Sequence, residues 1–235
     1  MENSDEKLDK TSLNQIQAFL EFRGTALNLR SSIARLQNDI RGLTATEVIE
    51  VARGRGVDLE LLAGAQFVKT LSAQVDVVIH AAGIVASLPY ILQPSEVIIG
   101  SSLGAGNTNQ DFDLETNRQI AEFKFISWQG GAEAVRQDNL LIDVFNLDRA
   151  STDKLRCLYL VGADIPRHFL ETSKRTTRGC LKRKSGFPDT FDYIYGLKAF
   201  EHVRDYWANA GQRVNIIDLR QIAPQIFGTP EPNDR

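Results

Sequence analysis

The stretch Asp111-Phe-Asp-Leu-Glu-Thr-Asn-Arg-Gln-Ile-Ala-Glu-Phe-Lys-Phe125 permits few structures. Aromatic and branched residues alternate with charged ones on both sides of Asn117-Arg118, which is the period of two half-buried strands joined by a tight turn. A turn centred on those two residues sets Glu115 opposite Ile120, Leu114 opposite Ala121, Asp113 opposite Glu122 and Phe112 opposite Phe123. Directly opposed residues share a face of the sheet with Cβ atoms about 4.5–5.5 Å apart. Lys124 lies two residues beyond Glu122 and joins the same face. One face thus carries Asp113, Glu122 and Lys124, and the other Phe112, Leu114, Phe123 and Phe125. Two carboxylates held side by side repel, so a sheet built for stability alone would avoid the pairing. A divalent cation between them removes the objection.

The rest of the chain frames this unit. Its 235 residues, 43% hydrophobic and 24% charged, suit one globular domain with an appended helical segment. A net charge of −3 excludes a uniformly basic nucleic-acid coat protein but leaves room for a local basic groove. Cys157 and Cys180 lack metal-like spacing and cannot make a disulfide framework. The N-terminal residues have no apolar signal core. The longest apolar run, Ala81 to Leu92, contains Ser87 and Pro89 and is too short for a bilayer. A reducing cytoplasm is the expected compartment.

Residues 11–22 and 26–43 have helical patterns, and Leu29, Ile33, Leu36, Ile40 and Leu43 repeat as in a short coiled-coil seam. That seam fits either packing within the domain or a homodimer through the N-terminal helices. Thr44-Ala-Thr-Glu47 is a capping-box pattern. Gly54 and Gly56 then divide an N-terminal helical segment, 1–56, from a domain spanning 57–235. Residues 58–92 predict one or two buried helices, 96–101 a strand, and 103–109 a loop. A helix over 132–149 and a strand over 155–161 follow the two-stranded unit. Ile194, Leu197, Val203, Tyr206 and Ala210 fit one helical stripe, and Val214–Leu219 a last strand. This order implies an α/β fold, a mixed sheet flanked by helices.

Helix, three-strand meander, helix, strand, with Asp113 on the second strand and Glu122-Phe-Lys124 on the third, resembles the PD-(D/E)XK nuclease-like superfamily over residues 58–163. Phe112 stands where many members have proline. The resemblance implies a restriction-endonuclease-like fold and a metal-dependent nuclease acting on nucleic acid, with DNA favoured over RNA. It implies that Asp113 and Glu122 bind Mg²⁺ (or Mn²⁺) and that Lys124 positions or activates the attacking water. Gln137 resembles the glutamine that some members carry on the following helix to orient the site. The bland alternative is a salt bridge of Lys124 with Asp111 or Asp113 on a solvated face.

Other residues carry weaker signals. Asp111 and Glu115 share the Asp113 face, as further ligands or solvated charges. His80 fits a partly buried helix residue, and Trp128 either core packing or base stacking. Lys174, Arg175, Arg178, Lys182, Arg183 and Lys184, against Glu171 alone, make a candidate contact for backbone phosphates, or a solvated loop. Two other functions compete. One is a catalytically inactive nuclease-like module for nucleic-acid binding or assembly. The other is an NAD(P)-dependent, short-chain-dehydrogenase-like enzyme, suggested by Gly100-Ser-Ser-Leu-Gly-Ala-Gly106, although the order of its motifs is reversed and no Tyr-x3-Lys pair accompanies it.

Overall fold

The computed structural model describes residues 10–23, 26–104, 111–126, 128 and 133–228. They divide into two compact units, 1–76 and 77–235. The first holds α1 (Lys10–Arg23), α2 (Ala26–Asp39), α3 (Ala45–Gly54) and the start of α4 (Leu59–Ile91). The capping box that opens α3 forms: the Thr44 backbone N–H and hydroxyl donate to Glu47 Oε2 at 2.8 and 2.7 Å. Gly54 and Gly56 do separate α3 from α4. The division between compact units comes later, because α4 continues unbroken for 33 residues.

Residues 58–92 thus form one helix, and the expectation that it is buried fails over its middle. Val75, Val78 and Ile79 are exposed, whereas Ile84, Ser87 and Ile91 are buried. The apolar stretch also reaches further than the run 81–92. Gln74–Ile91 is long and apolar enough to cross a membrane by length and composition, with Asp76 and His80 inside it. Its C-terminal half nonetheless belongs to the second unit, where it packs on a sheet.

That sheet contains β1 (Ile98–Ser101), β2 (Leu114–Thr116), β3 (Gln119–Lys124), β4 (Leu155–Leu160) and β5 (Val214–Asp218), hydrogen-bonded in that order. The pairs β1–β2 and β2–β3 are antiparallel, and β3–β4 and β4–β5 are parallel. The register read from the sequence is observed, with Leu114 paired to Ala121 and Glu115 to Ile120. Extending it one step puts Asp113 beside Glu122.

Helices cover both faces. On one, Leu114, Ala121, Phe123, Cys157 and Tyr159 pack with Ile84 and Ile91 of α4. On the other, Ile120, Leu158, Leu160 and Val214 pack against α5 (Ala134–Asp148), α6 (Asp164–Thr172), α7 (Thr177–Leu181), α8 (Phe187–Tyr195) and α9 (Val203–Asn209). The last short helices are α10 (Leu219–Ile222) and α11 (Pro224–Phe227). Consecutive β4 residues from Cys157 to Leu160 are all buried, as expected of a strand enclosed on both faces.

Two pattern readings are corrected. Phe112 does not join Leu114 and Phe123; it packs on the α5 side, because β2 begins only at Leu114 and strand alternation does not extend before it. The stripe from Ile194 to Ala210 is not one helix. Gly196, at φ +98°, ends α8, and α9 starts at Val203. A left-handed residue at that position favours glycine.

One polar knot fastens the helical layer. Asp148, at the end of α5, is enclosed and accepts from the hydroxyls of Tyr195 and of Tyr206, the latter at 2.8 Å, while Arg213 Nη2 lies 2.7 Å away. Asp148→Ala leaves the buried Tyr206 hydroxyl without its acceptor. It should lower stability by about 2–4 kcal/mol, read as a fall in the urea midpoint at unchanged slope.

Candidate active site

The site lies where β2 begins and β3 ends. Backbone pairing brings Asp113 and Glu122 together, and two helices from opposite faces add the remaining groups. From α4 comes His80, whose Nε2 lies 3.1 Å from Asp113 Oδ1. Its approach depends on Gly83 one turn later, where a Cβ would sit 2.6 Å from the Phe125 ring. The imidazole and Phe125 meet edge-on at 5.9 Å between centroids. Asp113 Oδ2 accepts from the Phe123 backbone N–H at 2.9 Å, which turns the carboxylate back over the hairpin.

From α5 come Asp143 and Asn146. Lys124 Nζ is 2.8 Å from Asp143 Oδ2, with 35% of the lysine side chain and 14% of the aspartate exposed. The salt bridge that Lys124 makes is thus with a helix residue, and not with Asp111 or Asp113 as the alternative reading had it. Asn146 Nδ2 donates to Glu122 Oε1 at 3.2 Å and to the Asp111 carbonyl at 3.0 Å.

Electrostatics follow from burying four charged groups together. Burial, then the charges of Asp143 and Asp113, push the Glu122 carboxyl well above the usual carboxylate range. Burial also opposes ionisation of Asp113, but the hydrogen bond and charge of His80 and the Phe123 N–H outweigh it and hold that carboxyl low. For Lys124, burial disfavours the cation, and Asp143, Glu122 and Asp113 more than compensate, so its ammonium is held above the ordinary lysine value. Asp143 is raised, with burial the main cause and Lys124 opposing it. The result is a lowered carboxyl at Asp113 beside two raised ones at Glu122 and Asp143, with a lysine whose cation their charges favour.

Among the described residues, no three His, Cys, Asp or Glu side chains form a group able to hold a metal ion. Asp113 and Glu122 supply two hard oxygen donors, and Mg²⁺ typically takes one or two carboxylates, keeps several waters and uses substrate phosphate. Burial and the charges of Asp143 and Asp113 disfavour the Glu122 anion, and a cation bound there would offset that cost. The donor set therefore fits Mg²⁺ or Mn²⁺.

Other candidates separate from this centre. Gln137 sits on the first turns of α5, where its Oε1 accepts from Arg175 Nη1 at 3.1 Å; Asp143 and Asn146 are the α5 residues that reach the strands. Glu115 pairs with Lys154 at 2.7 Å. Trp128 is partly buried against the core, which favours packing over stacking.

The six basic residues divide. Arg175 is tied to Asp138 at 2.6 Å. Arg178 donates to Asp192 at 2.6 Å and to the Ala199 and Gly196 carbonyls. Lys174, Lys182, Arg183 and Lys184 are exposed. Lys184 stands over the Phe187 ring at 4.4 Å, and its charge is felt by Asp143. Lys182, Arg183 and Lys184 follow the short helix α7, and Lys174 precedes it.

The sequence alone does not mark His80, Asp143 or Asn146 as site residues. Nothing along the chain links them to Glu122, although the spacing of Asp143 and Asn146 puts both on one face of a helix. The dehydrogenase-like glycines fare worse. Gly100 lies in β1, which pairs antiparallel with β2, whereas a dinucleotide-binding crossover joins parallel strands; Gly106 and the rest of the predicted 103–109 loop beyond Gly104 lie outside the described residues. Compared with known proteins, the chain matches no family model, no curated protein and no solved structure.

Proposed function

We propose that this chain is a metal-dependent nuclease of the PD-(D/E)XK type. The observation that carries the reading is the cluster of Asp113, Glu122 and Lys124 at the open end of a hairpin, where the two carboxyls lie side by side. The order of α4, the antiparallel β1–β2–β3 meander, α5 and the parallel β4 agrees with it. In this reading Asp113 and Glu122 hold Mg²⁺ or Mn²⁺. When bound, the ion polarises a phosphate oxygen and lowers the pKa of its water.

This chain's own groups do the rest. Lys124 is held cationic by Asp143, so it acts as a hydrogen-bond donor and positive charge, not as a proton acceptor. It orients the attacking water and offsets charge that grows on the phosphate oxygens. Water adds to phosphorus as one P–O ester bond breaks; the attacking water loses a proton to solvent and the departing oxygen takes one up, giving a phosphomonoester and a free hydroxyl. His80 holds Asp113 in its rotamer. The exposed cations beyond α7 supply the contact with the nucleic-acid backbone, and the charge of Lys184 felt by Asp143 supports a contact near the chemistry.

Single-turnover cleavage of single- and double-stranded DNA and RNA, with Mg²⁺ or Mn²⁺ and with chelator, tests the reading. Metal-dependent cleavage of one substrate is expected. Binding without cleavage of any form would leave an inactive binding module instead. Charge reversal of Lys182, Arg183 and Lys184 together should weaken nucleic-acid binding and reduce its salt slope by about 2–3, since each phosphate contact contributes about 0.9 on a duplex. An unchanged slope would return these residues to a solvated surface.

A further inference from the structure

Asn146 is 4% exposed and lies one turn beyond Asp143 on α5. Its Nδ2 donates to Glu122 Oε1 and to the Asp111 carbonyl, and its Oδ1 accepts from Arg149 Nη2 at 2.8 Å. These three partners determine which way the carboxamide faces. A flipped amide would set its oxygen against two acceptors and its nitrogen against a guanidinium, where neither can bond.

Two consequences meet at the carboxylates. Glu122 Oε1 accepts from the Asn146 amide, which fixes the turn of the carboxyl group and so the direction its free lone pairs offer a cation. The Asp111 carbonyl lies two residues before Asp113, so the same amide also anchors the segment that delivers Asp113 to the start of β2. One neutral side chain therefore joins one proposed metal ligand to the backbone two residues before the other, and Arg149 holds it in place from outside.

We infer that Asn146 is a positioning residue. It orients Glu122 and the Asp113 segment for the cation, and Arg149 fixes its amide. This inference rests on the proposed metal site. Outer partners of metal ligands typically contribute about 10–100-fold in metal affinity or activity.

The test uses the full chain and Mn²⁺ alone, with affinity read from the loss of the free-ion electron paramagnetic resonance signal and folding from thermal melts. Asn146→Ala and Asn146→Leu should each weaken Mn²⁺ binding by about 10–100-fold. A merely space-filling role predicts that Asn146→Leu, which keeps the volume, retains affinity. Arg149→Ala gives an independent test that avoids substituting the buried residue. Removing a cation near the site raises Mn²⁺ affinity by electrostatics alone, whereas freeing the Asn146 amide to turn lowers it, and a several-fold loss is expected. In cleavage assays, kcat should fall with little change in KM. Affinity equal to or above wild type in Arg149→Ala, or unchanged in folded Asn146→Leu, overturns the inference and leaves the nuclease reading standing. Wild-type protein that takes up no Mn²⁺ overturns both.

Discussion

Lys124→Ala should cut nucleic-acid cleavage by a factor on the order of 100 or more, the usual scale for losing one positioned electrostatic or proton-transfer group. Affinity for nucleic acid should barely move, because the exposed cations beyond α7 carry it. Mn²⁺ should bind as well as before or better, since a positive charge leaves a site with three acidic side chains. The ion pair with Asp143 adds a stability effect. Breaking a buried pair costs about 3–5 kcal/mol, and with a third of Lys124 exposed about 1–3 kcal/mol is expected here. Because that loss accompanies a purely structural lysine too, Lys124→Arg separates the roles. Arginine keeps the pair and the stability but misplaces the donor, so cleavage should still fall. Single-turnover rates beside melts of both variants decide the matter. Undiminished cleavage in Lys124→Ala would remove this site from the chemistry.

Asp113→Asn should abolish measurable Mn²⁺ or Mg²⁺ binding, a loss on the order of 100-fold or more, because the number of charged ligands sets the affinity of a hard cation. The fold should survive. The amide oxygen can still accept from the Phe123 N–H that Asp113 Oδ2 holds at 2.9 Å. Glu122, relieved of a neighbouring negative charge, should ionise more easily, but a single carboxylate cannot replace the pair. Titration calorimetry on both proteins gives the comparison, and equal affinity in the mutant would exclude Asp113 as a ligand.

These expectations combine two kinds of information. The hairpin was legible along the chain because strand periodicity and a tight turn are local, and they sufficed to place Asp113 beside Glu122 and to set the Leu114–Ala121 register. The capping box of α3 and the enclosed strand β4 were legible for the same reason. Local pattern misled where the backbone changed state between similar residues. Phe112 falls just outside β2, and Gly196 divides a stripe that otherwise reads as continuous.

Partners in space were another matter. The pairing of Lys124 with Asp143, the approach of His80 to Asp113 and the grip of Asn146 on Glu122 each join groups 19 or more residues apart along the chain. They exist because α4 and α5 pack on opposite faces of the sheet. The same packing consumed Arg175 and Arg178 in internal ion pairs while leaving Lys182 and Arg183 in solvent, though all four carry the same charge in one basic run. The sequence by itself determined that two carboxylates and a lysine would share one face, because neighbouring strands have a period of two. Only the tertiary structure decided that Asp113 is held low and Glu122 raised, because burial and the charged groups brought by distant helices act differently on each.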